Sequence, residues 1–578
     1  MKKSKSGFLN GAVTLIICSM FAKIVSAIYK IPLLKSLQTD GLGKYQMVIS
    51  VYALFLVISS SGMVVTLSKL ISREIVYKNI HNQKRYLLAG ILISIIISSF
   101  LALVLMLISP ILSSYQSFSG MKSCFIVIAP SIIFSSLIAV FRGYFLGKRK
   151  MFYSGIAPII ESIFKLFLSL YLSIKFAIHG SMGAVFGAIL GITLSELISL
   201  IILCLIFFVT QKRYKNSHHK IIACLKIKIN KIENFDKKLA NKTNLYKKSS
   251  NFSLKTANFF NFLQTNKSLN FKIISSKSRY KSLLDAAKEI VSISFFVTLQ
   301  ACILPFIGAI DGLVVVPLLI RAGLSQSVAY SLFGIEDGVV SAILSMPTII
   351  ASSISSAIIP NIKTQKDYLS IIKNGFKIVW LASISCAALF IFFSNDVTKF
   401  LYGSGLNSKA IDEILISADM LRINGFNIIY ISLLTLSSGI LQGLDRSRLP
   451  VKNLFIATIL RFIVLLVCLS SSVLNIYGLA IADMSFYACA MILNLKMIKE
   501  ITNISYNLNQ MFVLPICSLF AMLLSIALIK KLLFGILTFR VTILCSMVCG
   551  GILYLTLLYL TRVLDYKDIV AFKRKRNV

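Results

Sequence analysis

Gly143-Tyr144-Phe145-Leu146-Gly147 closes one long apolar run, and Gly439-Ile440-Leu441-Gln442-Gly443 closes another about 296 residues later. At that offset Lys165 falls opposite Arg461. At a nearby offset of about 285, Ile31-Pro32-Leu33-Leu34 falls opposite Val316-Pro317-Leu318-Leu319, Tyr45 opposite Tyr330 and Ser68 opposite Ser353. An offset that recurs at several separated positions marks an internal duplication. Each copy holds six apolar runs, an even number, so both copies start and finish on the same side and the repeat is parallel. Parallel repeats about an axis along the membrane normal are a transporter architecture, in which two bundles rock about a central cavity.

The composition demands a membrane. Of 578 residues, 57% are hydrophobic and 14% charged, and the mean hydropathy is +0.84; soluble domains are roughly half apolar and a quarter charged. At about 20 to 25 residues per crossing, the length admits about fourteen helices and one polar insert. Met1-Lys2-Lys3-Ser4-Lys5 leads into an apolar run that Lys23 interrupts, and no small-residue cleavage site follows, so the run reads as a first span and not a signal peptide. Further spans are expected at about 44–70, 86–109, 122–146, 152–175, 182–210, 286–310, 328–359, 374–394, 414–443, 450–471, 476–498, 510–530 and 539–562. The fold class is therefore an all-α polytopic membrane protein of about 14 transmembrane helices, two parallel six-helix repeats around a central cavity plus two C-terminal helices. The expected units are a six-helix bundle over 1–210, a basic cytoplasmic linker over 211–285, a second six-helix bundle over 286–498, and two further helices with a basic tail over 499–578. A soluble globular protein and a single-pass receptor are excluded.

Lys and Arg number 61 against 21 acids, a formal charge of +40. The cations sit in loops between apolar runs and not on one soluble face, which points to the positive-inside rule and anionic lipid as partner and away from nucleic acid. The N-terminal tail, Lys78–Arg85, Gly147–Lys150, 211–285, Asn361–Lys366, Asp445–Lys452, Lys496–Glu500 and Lys573–Arg576 fall on one side of a fourteen-span topology. Ser109–Met121 and Ile178–Gly183, on the other side, are nearly cation-free; Lys35, Lys44, Lys530, Lys531 and Arg540 are exceptions. Both termini are thus expected in the cytoplasm. The 211–285 segment carries about 18 Lys and Arg against 3 acids and little periodicity, and reads as a flexible or weakly helical linker. The eleven cysteines lie almost all inside apolar runs with no CxxC, and His81, His179, His218 and His219 are near no cysteine cluster, so no metal, redox site or cofactor is expected.

Lys23-Ile24-Val25-Ser26-Ala27-Ile28-Tyr29-Lys30-Ile31-Pro32-Leu33, Asp40-Gly41-Leu42-Gly43-Lys44-Tyr45-Gln46, Ser61-Gly62-Met63 and Leu67-Ser68-Lys69-Leu70 carry a family pattern. Phe141-Arg142-Gly143-Tyr144-Phe145-Leu146-Gly147, Asp311 to Arg321 and Ser345-Met346-Pro347-Thr348 extend it. Together they resemble the stage V sporulation protein B branch of the polysaccharide biosynthesis protein family. That branch lies within the multidrug/oligosaccharidyl-lipid/polysaccharide flippase superfamily, which also holds the MurJ-type lipid II flippases. The resemblance covers about 500 residues and excludes the insert, which looks longer than the family's usual linker. It implies a flippase of the bacterial cytoplasmic membrane that moves a lipid-linked cell-wall precursor, undecaprenyl-diphosphate-linked lipid II first, for peptidoglycan or spore-cortex synthesis. No bond is made or broken, so it implies no enzyme. It also implies cell-wall synthesis machinery as a partner and coupling to membrane potential, H+ or Na+.

Moving a diphosphate through hydrocarbon requires a wet, cation-lined cavity, because desolvating the charge is costly. Lys23 and Lys30, seven residues and two turns apart, share a helix face, and Arg321 stands at the start of the eighth span. These three and Arg461 are the diphosphate-binding candidates, Arg321 as a bidentate fork. Glu161 and Lys165 lie one turn apart, placed to neutralise each other. Arg461, the repeat counterpart of Lys165, has Ala457 one turn earlier instead of an acid, so its partner must come from another helix or from a ligand. Glu196 and Asp483 lie in spans with no local cation, as coupling sites or as partners of Arg461 across the bundle. Lys69, Arg73 and Arg142 sit near cytoplasmic helix ends, where snorkelling accounts for them. The Gly183, Gly187, Gly191 stripe is a helix-packing surface.

Two alternatives stay open, an ion-coupled multidrug exporter and a flippase for another polyprenyl-linked polysaccharide unit. The exporter needs an acidic or aromatic pocket, whereas the spans carry net positive charge. A polytopic glycosyltransferase needs paired carboxylates on a large outer loop, and the outer loops are too short.

Overall fold

In a lipid environment every backbone N–H and C=O must be satisfied within the segment, and the chain does so with helices. The computed structural model describes residues 2–77, 79–115, 120–243, 281–362, 368–402, 408–444, 446–469, 474–503 and 512–564, side chains of 2–13, 16, 27, 115, 212–243, 296, 356–357, 359–361 and 408–414 excepted. No strand occurs among them; an isolated bridge joins Phe534 to Leu537. Insert residues 244–280 and the tail at Lys573–Arg576 lie outside the described residues.

The helices are α1 (Lys2–Val76), α2 (Ile80–Tyr115), α3 (Met121–Gly147), α4 (Met151–Phe176), α5 (Gly180–Thr243), α6 (Leu283–Ala301), α7 (Ile303–Arg321), α8 (Gln326–Phe333), α9 (Ser341–Ile362), α10 (Tyr368–Phe392), α11 (Ser394–Tyr402), α12 (Ser408–Gly443), α13 (Arg448–Leu469), α14 (Tyr477–Thr502), α15 (Leu514–Leu533) and α16 (Phe539–Leu560). A π-helical segment, Gly334–Val340, joins α8 to α9 in one pass. Among the described residues twelve stretches are long and apolar enough to cross a membrane, and two of these, Ile17–Val76 and Met151–Gln211, hold two passes each. In α1 the break is Gln38, at φ 60° and ψ 177°. Lys30 and Gln46 both reach the Asp337 carbonyl; sixteen residues apart on a straight helix they would be separated by about 24 Å, so α1 doubles back. The second pair turns at Ala177–His179, and the Gly183, Gly187, Gly191 stripe brings α5 against the α4 backbone as expected.

The duplication is visible in packing. Gly143 of α3 lies against Val64 and Leu67 of α1, where a Cβ would sit 3.0 Å from the Val64 carbonyl, and Gly439 of α12 lies against Ser355 of α9. Ser136 donates to the Ser59 carbonyl at 3.1 Å in the first bundle, and Ser355 donates to the Thr435 carbonyl at 3.1 Å in the second. The same pair of helices meets in each half at the corresponding glycine, with the serine bond donated from α3 in the first half and from α9 in the second. Outside the repeat, α15 and α16 dock on α10 through Leu381, Met522, Ile526 and Tyr554, whose hydroxyl donates to the Leu381 carbonyl.

Two segments refine the expected boundaries. The run expected as a pass at 286–310 lies within α6 and α7, which only Cys302, itself αR, separates; of the two, Ile303–Arg321 is long and apolar enough to cross by itself. Ahead of it α6, opened by a capping box at Ser282 and Asp285, carries Lys288 and Glu289, and Glu289 accepts from Arg73 at 2.7 Å, from Tyr86 at 2.5 Å and from Lys281. These bonds tie α6 to the first bundle. The apolar span ends at Gln211 and α5 runs on as helix to Thr243, within the segment read as flexible or weakly helical, the Lys, Ala, Leu and Glu of that stretch being adequate helix formers.

Core placement fixes which end is closed. At the end where α1 turns, one core joins both halves, with Leu42 and Tyr45 packed among Tyr330, Phe333 and Val339. At the other end the bundles keep separate cores, one around Leu67, Ile71 and Phe145 and one around Ile358, Phe376 and Ile440. The bundles are closed at the α1 turn and parted at the far end.

Candidate functional site

Between the bundles lies a cavity of about 340 Å3 lined by Tyr29, Lys30, Gln46, Lys165, Pro305 and Asp337 among others. It shares Asp337 and Ser341 with a second cavity of about 210 Å3 in the C-terminal bundle, lined by Asp311, Glu336, Asn424, Asn427 and Asp483. The two differ in charge. Lysines from α1 and α4 face the first, and four carboxylates border the second.

The wall between them is the π-helical segment, where backbone bonding shifts by one residue, a feature found often at functional sites. Asp337 there accepts from Gln46 through its carbonyl at 2.8 Å and its carboxylate at 3.0 Å, and from Lys30 through the carbonyl at 3.3 Å. Lys165 stands 5.9 Å from the Tyr29 ring. Close approach is built into the segment, since Gly43 of α1 lies where a Cβ would be 1.9 Å from the Tyr330 carbonyl oxygen.

On the C-terminal side Arg461 is 1% exposed and fully engaged. Its Nη1 and Nη2 fork onto both Asp311 oxygens at 2.8 and 2.7 Å, and its Nε donates to Asp483 at 2.8 Å. Three helices, α7, α13 and α14, are thus tied by one guanidinium, the geometry arginine's planar fork favours. Glu336 accepts from Asn424 at 2.7 Å, and Asn427 donates to Asn424 at 2.8 Å. Glu336 Oε2 and Asn427 Oδ1 are buried without a hydrogen-bond partner. A proton on Glu336, or a monovalent cation, is what such acceptors can take. No cluster of three or more His, Cys, Asp or Glu with metal-binding geometry occurs among the described residues.

The N-terminal bundle has its own buried carboxylate. Glu196 on α5 accepts from the Tyr52 hydroxyl at 2.7 Å, and its Oε2 has no partner. Glu161 lies within Coulombic reach of Lys165 and Arg142.

Of the eight residues singled out from the sequence, Lys30 and Lys165 line one cavity and Asp483 the other, with Arg461 bound to Asp483. Glu161 and Lys165 make no ion pair within 4 Å, and Glu196 is bound to Tyr52 instead. Lys23 is exposed on the first arm of α1, and Arg321 is exposed at the C-terminal end of α7; neither lines these cavities. The snorkelling expected of two arginines is replaced by inward contacts: Arg73 pairs with Glu289, and half-buried Arg142 lies near Glu161. Sequence reading passed over Asp311, Glu336 and Asp337 as site residues. An acidic residue inside an apolar run was the available signal, and Ile335-Glu336-Asp337-Gly338 carries two.

Residues 8–230 match the polysaccharide biosynthesis protein family. Within the curated relatives, the chain is 20% identical over 167 residues to stage V sporulation protein B of Bacillus subtilis (strain 168), covering 28% of this chain and 32% of that protein. It is 26% identical over 160 residues to sporulation protein YkvU of the same organism, covering 28% and 34%. The aligned part thus spans about a third of the length of these relatives. In fold, the chain is similar to the lipid II flippase MurJ in an inward closed conformation, with TM-score 0.65, 13% identity, 96% of this chain and 100% of that one covered. It is also similar to an inward-facing multidrug resistance MATE family transporter of the MOP superfamily, with TM-score 0.56, 14% identity and coverage of 86% and 100%. The polysaccharide biosynthesis resemblance read from the sequence stands, and the chain has the MurJ/MATE-like helical fold.

Proposed function

We propose that this chain is a flippase for a lipid-linked cell-wall precursor, undecaprenyl-diphosphate-linked lipid II in the first instance, across the bacterial cytoplasmic membrane. The observation that carries the reading is the pairing of two unlike spaces between the bundles. Lys30 and Lys165 face the 340 Å3 cavity. An apolar cavity of about 880 Å3, lined by Met63, Phe295, Leu299, Phe306 and Phe455 with Lys452 beside them, opens between α1, α6 and α13. An amphipathic substrate needs both, ammonium groups for a diphosphate and an apolar path for its chain.

In the proposed cycle both termini are cytoplasmic, so the parted end faces the cytoplasm and the α1 turn is the closed outer side. A diphosphate drawn to Lys30 and Lys165 competes with Asp337 for the Lys30 ammonium. Loss of that bond loosens the contact between α1 and the π-helical segment, and the outer side opens. Membrane potential offers about 2.3 kcal/mol per charge per 100 mV, and Glu161, Glu196, Asp483 and Glu336 are the groups where H+ or Na+ would couple. The substrate's role in peptidoglycan or spore-cortex synthesis, and contact with the cell-wall synthesis machinery, belong to the same proposal.

The test is to deplete the resident lipid II flippase in a bacterium, express this chain, and measure lipid II cleaved by an enzyme added outside. Restored cleavage, lost with Lys30→Met and Lys165→Met at unchanged protein abundance, supports the reading; no restoration at normal abundance overturns lipid II as substrate. A second reading, export of a cationic drug, draws on the carboxylates of the C-terminal cavity. Two of them, Asp311 and Asp483, are occupied by Arg461, and drug resistance conferred by expression would favour it.

A further inference from the structure

Where α3 turns into α4, at the parted end, the first bundle holds a separate pocket of about 430 Å3 lined by Gln83, Tyr144, Lys148, Lys150, Thr210 and Gln211. Its size is that of a small-molecule site, roughly 300–1,000 Å3. No carboxylate lines it among the described residues. Glu74, at the end of α1, is buried and already engaged by Asn82 at 3.1 Å and Arg73 at 3.5 Å.

The lysines are placed by the backbone. Arg149, between them, adopts φ 57°, and the tight turn is held by N–H bonds from Arg149 to the Leu146 carbonyl and from Lys150 to the Phe145 carbonyl, both 2.9 Å. Lys148 is half-buried with its ammonium 4.6 Å from the Tyr144 ring centre, and Lys150 stands 5.9 Å from that of Tyr153. Gln211 donates to the Tyr144 hydroxyl at 2.7 Å, tying α5 to α3 across the pocket. Burial pushes the Lys148 ammonium down to about 8, and the like charges of Lys150 and, from α2, Lys84 add to it. Two ammonium groups on the wall of a half-enclosed space, a third within Coulombic reach and no acid among the described lining residues are an arrangement for an anionic ligand. Ammonium, amide and hydroxyl donors together match the several acceptor oxygens of a phosphate, for which lysine acts as a point charge.

We propose that this pocket is a phosphate-binding site, in which Lys148 and Lys150 hold the anion and the second amide N–H groups of Gln83 and Gln211 supply further hydrogen bonds. It lies one residue beyond the apolar segment Met121–Gly147, at headgroup depth. A phosphodiester headgroup and a soluble phosphate therefore share the chemistry. The site is separate from the cavities between the bundles, so its occupancy can be tested without transport.

The experiment titrates the purified full chain in detergent with phosphatidylglycerol, phosphatidylcholine and inorganic phosphate, reading retention by native mass spectrometry and integrity by thermal melting. The wild type should retain phosphatidylglycerol or inorganic phosphate, and Lys148→Gln with Lys150→Gln should weaken this by about tenfold or more. Lys148→Arg with Lys150→Arg, which keeps the charge, should preserve binding. The charge-matched Lys175→Gln with Lys531→Gln should change it less than about twofold. Phosphatidylglycerol held against excess inorganic phosphate assigns a lipid headgroup, and its displacement assigns a soluble phosphate; both support the site. Equal retention of phosphatidylcholine and phosphatidylglycerol with no binding of inorganic phosphate, or wild-type affinity in the glutamine pair, overturns it.

Discussion

Replacing Arg461 by methionine tests how the C-terminal bundle is held together. The guanidinium is 1% exposed, and the side chains it serves, Asp311 and Asp483, are 15% and 28% exposed on two other helices. Arg461→Met removes three charge-assisted hydrogen bonds of 2.7 to 2.8 Å and leaves two carboxylates without their shared cation. Breaking a buried pair from one side costs about 3–5 kcal/mol, chiefly from the charge left behind. Arg461→Lys keeps the charge but gives up the fork, at about 1.5–3 kcal/mol for each charged bond not remade, so it should fall between wild type and methionine. Arg461→Met combined with Asp311→Asn and Asp483→Asn removes the stranded charges and should regain most of the loss. The assay is equilibrium unfolding in mixed detergent micelles, followed through Trp380, the chain's single tryptophan, whose ring packs 5.1 Å from that of Phe512 beside this bundle. If the triple variant is no more stable than Arg461→Met, or the methionine variant matches wild type, the charge argument is refuted.

Thr39 and Ser331 approach to 3.2 Å between their hydroxyls at the closed end, so Thr39→Cys with Ser331→Cys should cross-link on oxidation and arrest transport until reduced. Adding Gly43→Ala, whose Cβ would lie 1.9 Å from the Tyr330 carbonyl oxygen, should slow that cross-linking several-fold; peptide mapping that finds the same rate would remove the close-approach argument. Phosphate binding beside Lys148 should weaken as pH rises from 7 to 9, because an ammonium titrating at about 8 goes from about nine-tenths to about one-tenth protonated over that range. The sign for stability is opposite: the folded Lys148 has a depressed value, so the free protein gains stability from about pH 8 up to the ordinary lysine range. A pH-independent affinity would show that Lys148 does not hold the anion.

Length, hydropathy and the recurring Gly143 and Gly439 motifs were enough to determine the number of passes and their division into two parallel sets. Those properties are local: an apolar run of about 20 residues must become a helix in lipid whatever its neighbours, and the duplicated helix pair keeps a glycine at its contact. The motifs from Lys23 to Leu70 were likewise sufficient to point to the family. The partner of a buried charge is not local. Arg461 declared its need for a partner in sequence, through Ala457 one turn earlier, but only packing shows that Asp311, 150 residues away, and Asp483 supply it. Lys30 and Lys165 are joined in one cavity, while Lys23 and Arg321, equally plausible by residue type, stay exposed. Glu289 stands as an unexplained acid in an apolar run of the sequence, and only the fold shows that Arg73 and Lys281 neutralise it. Charge type and helix length are written residue by residue, but which charges meet depends on how the two bundles lean together, and that is decided by contacts between segments hundreds of residues apart.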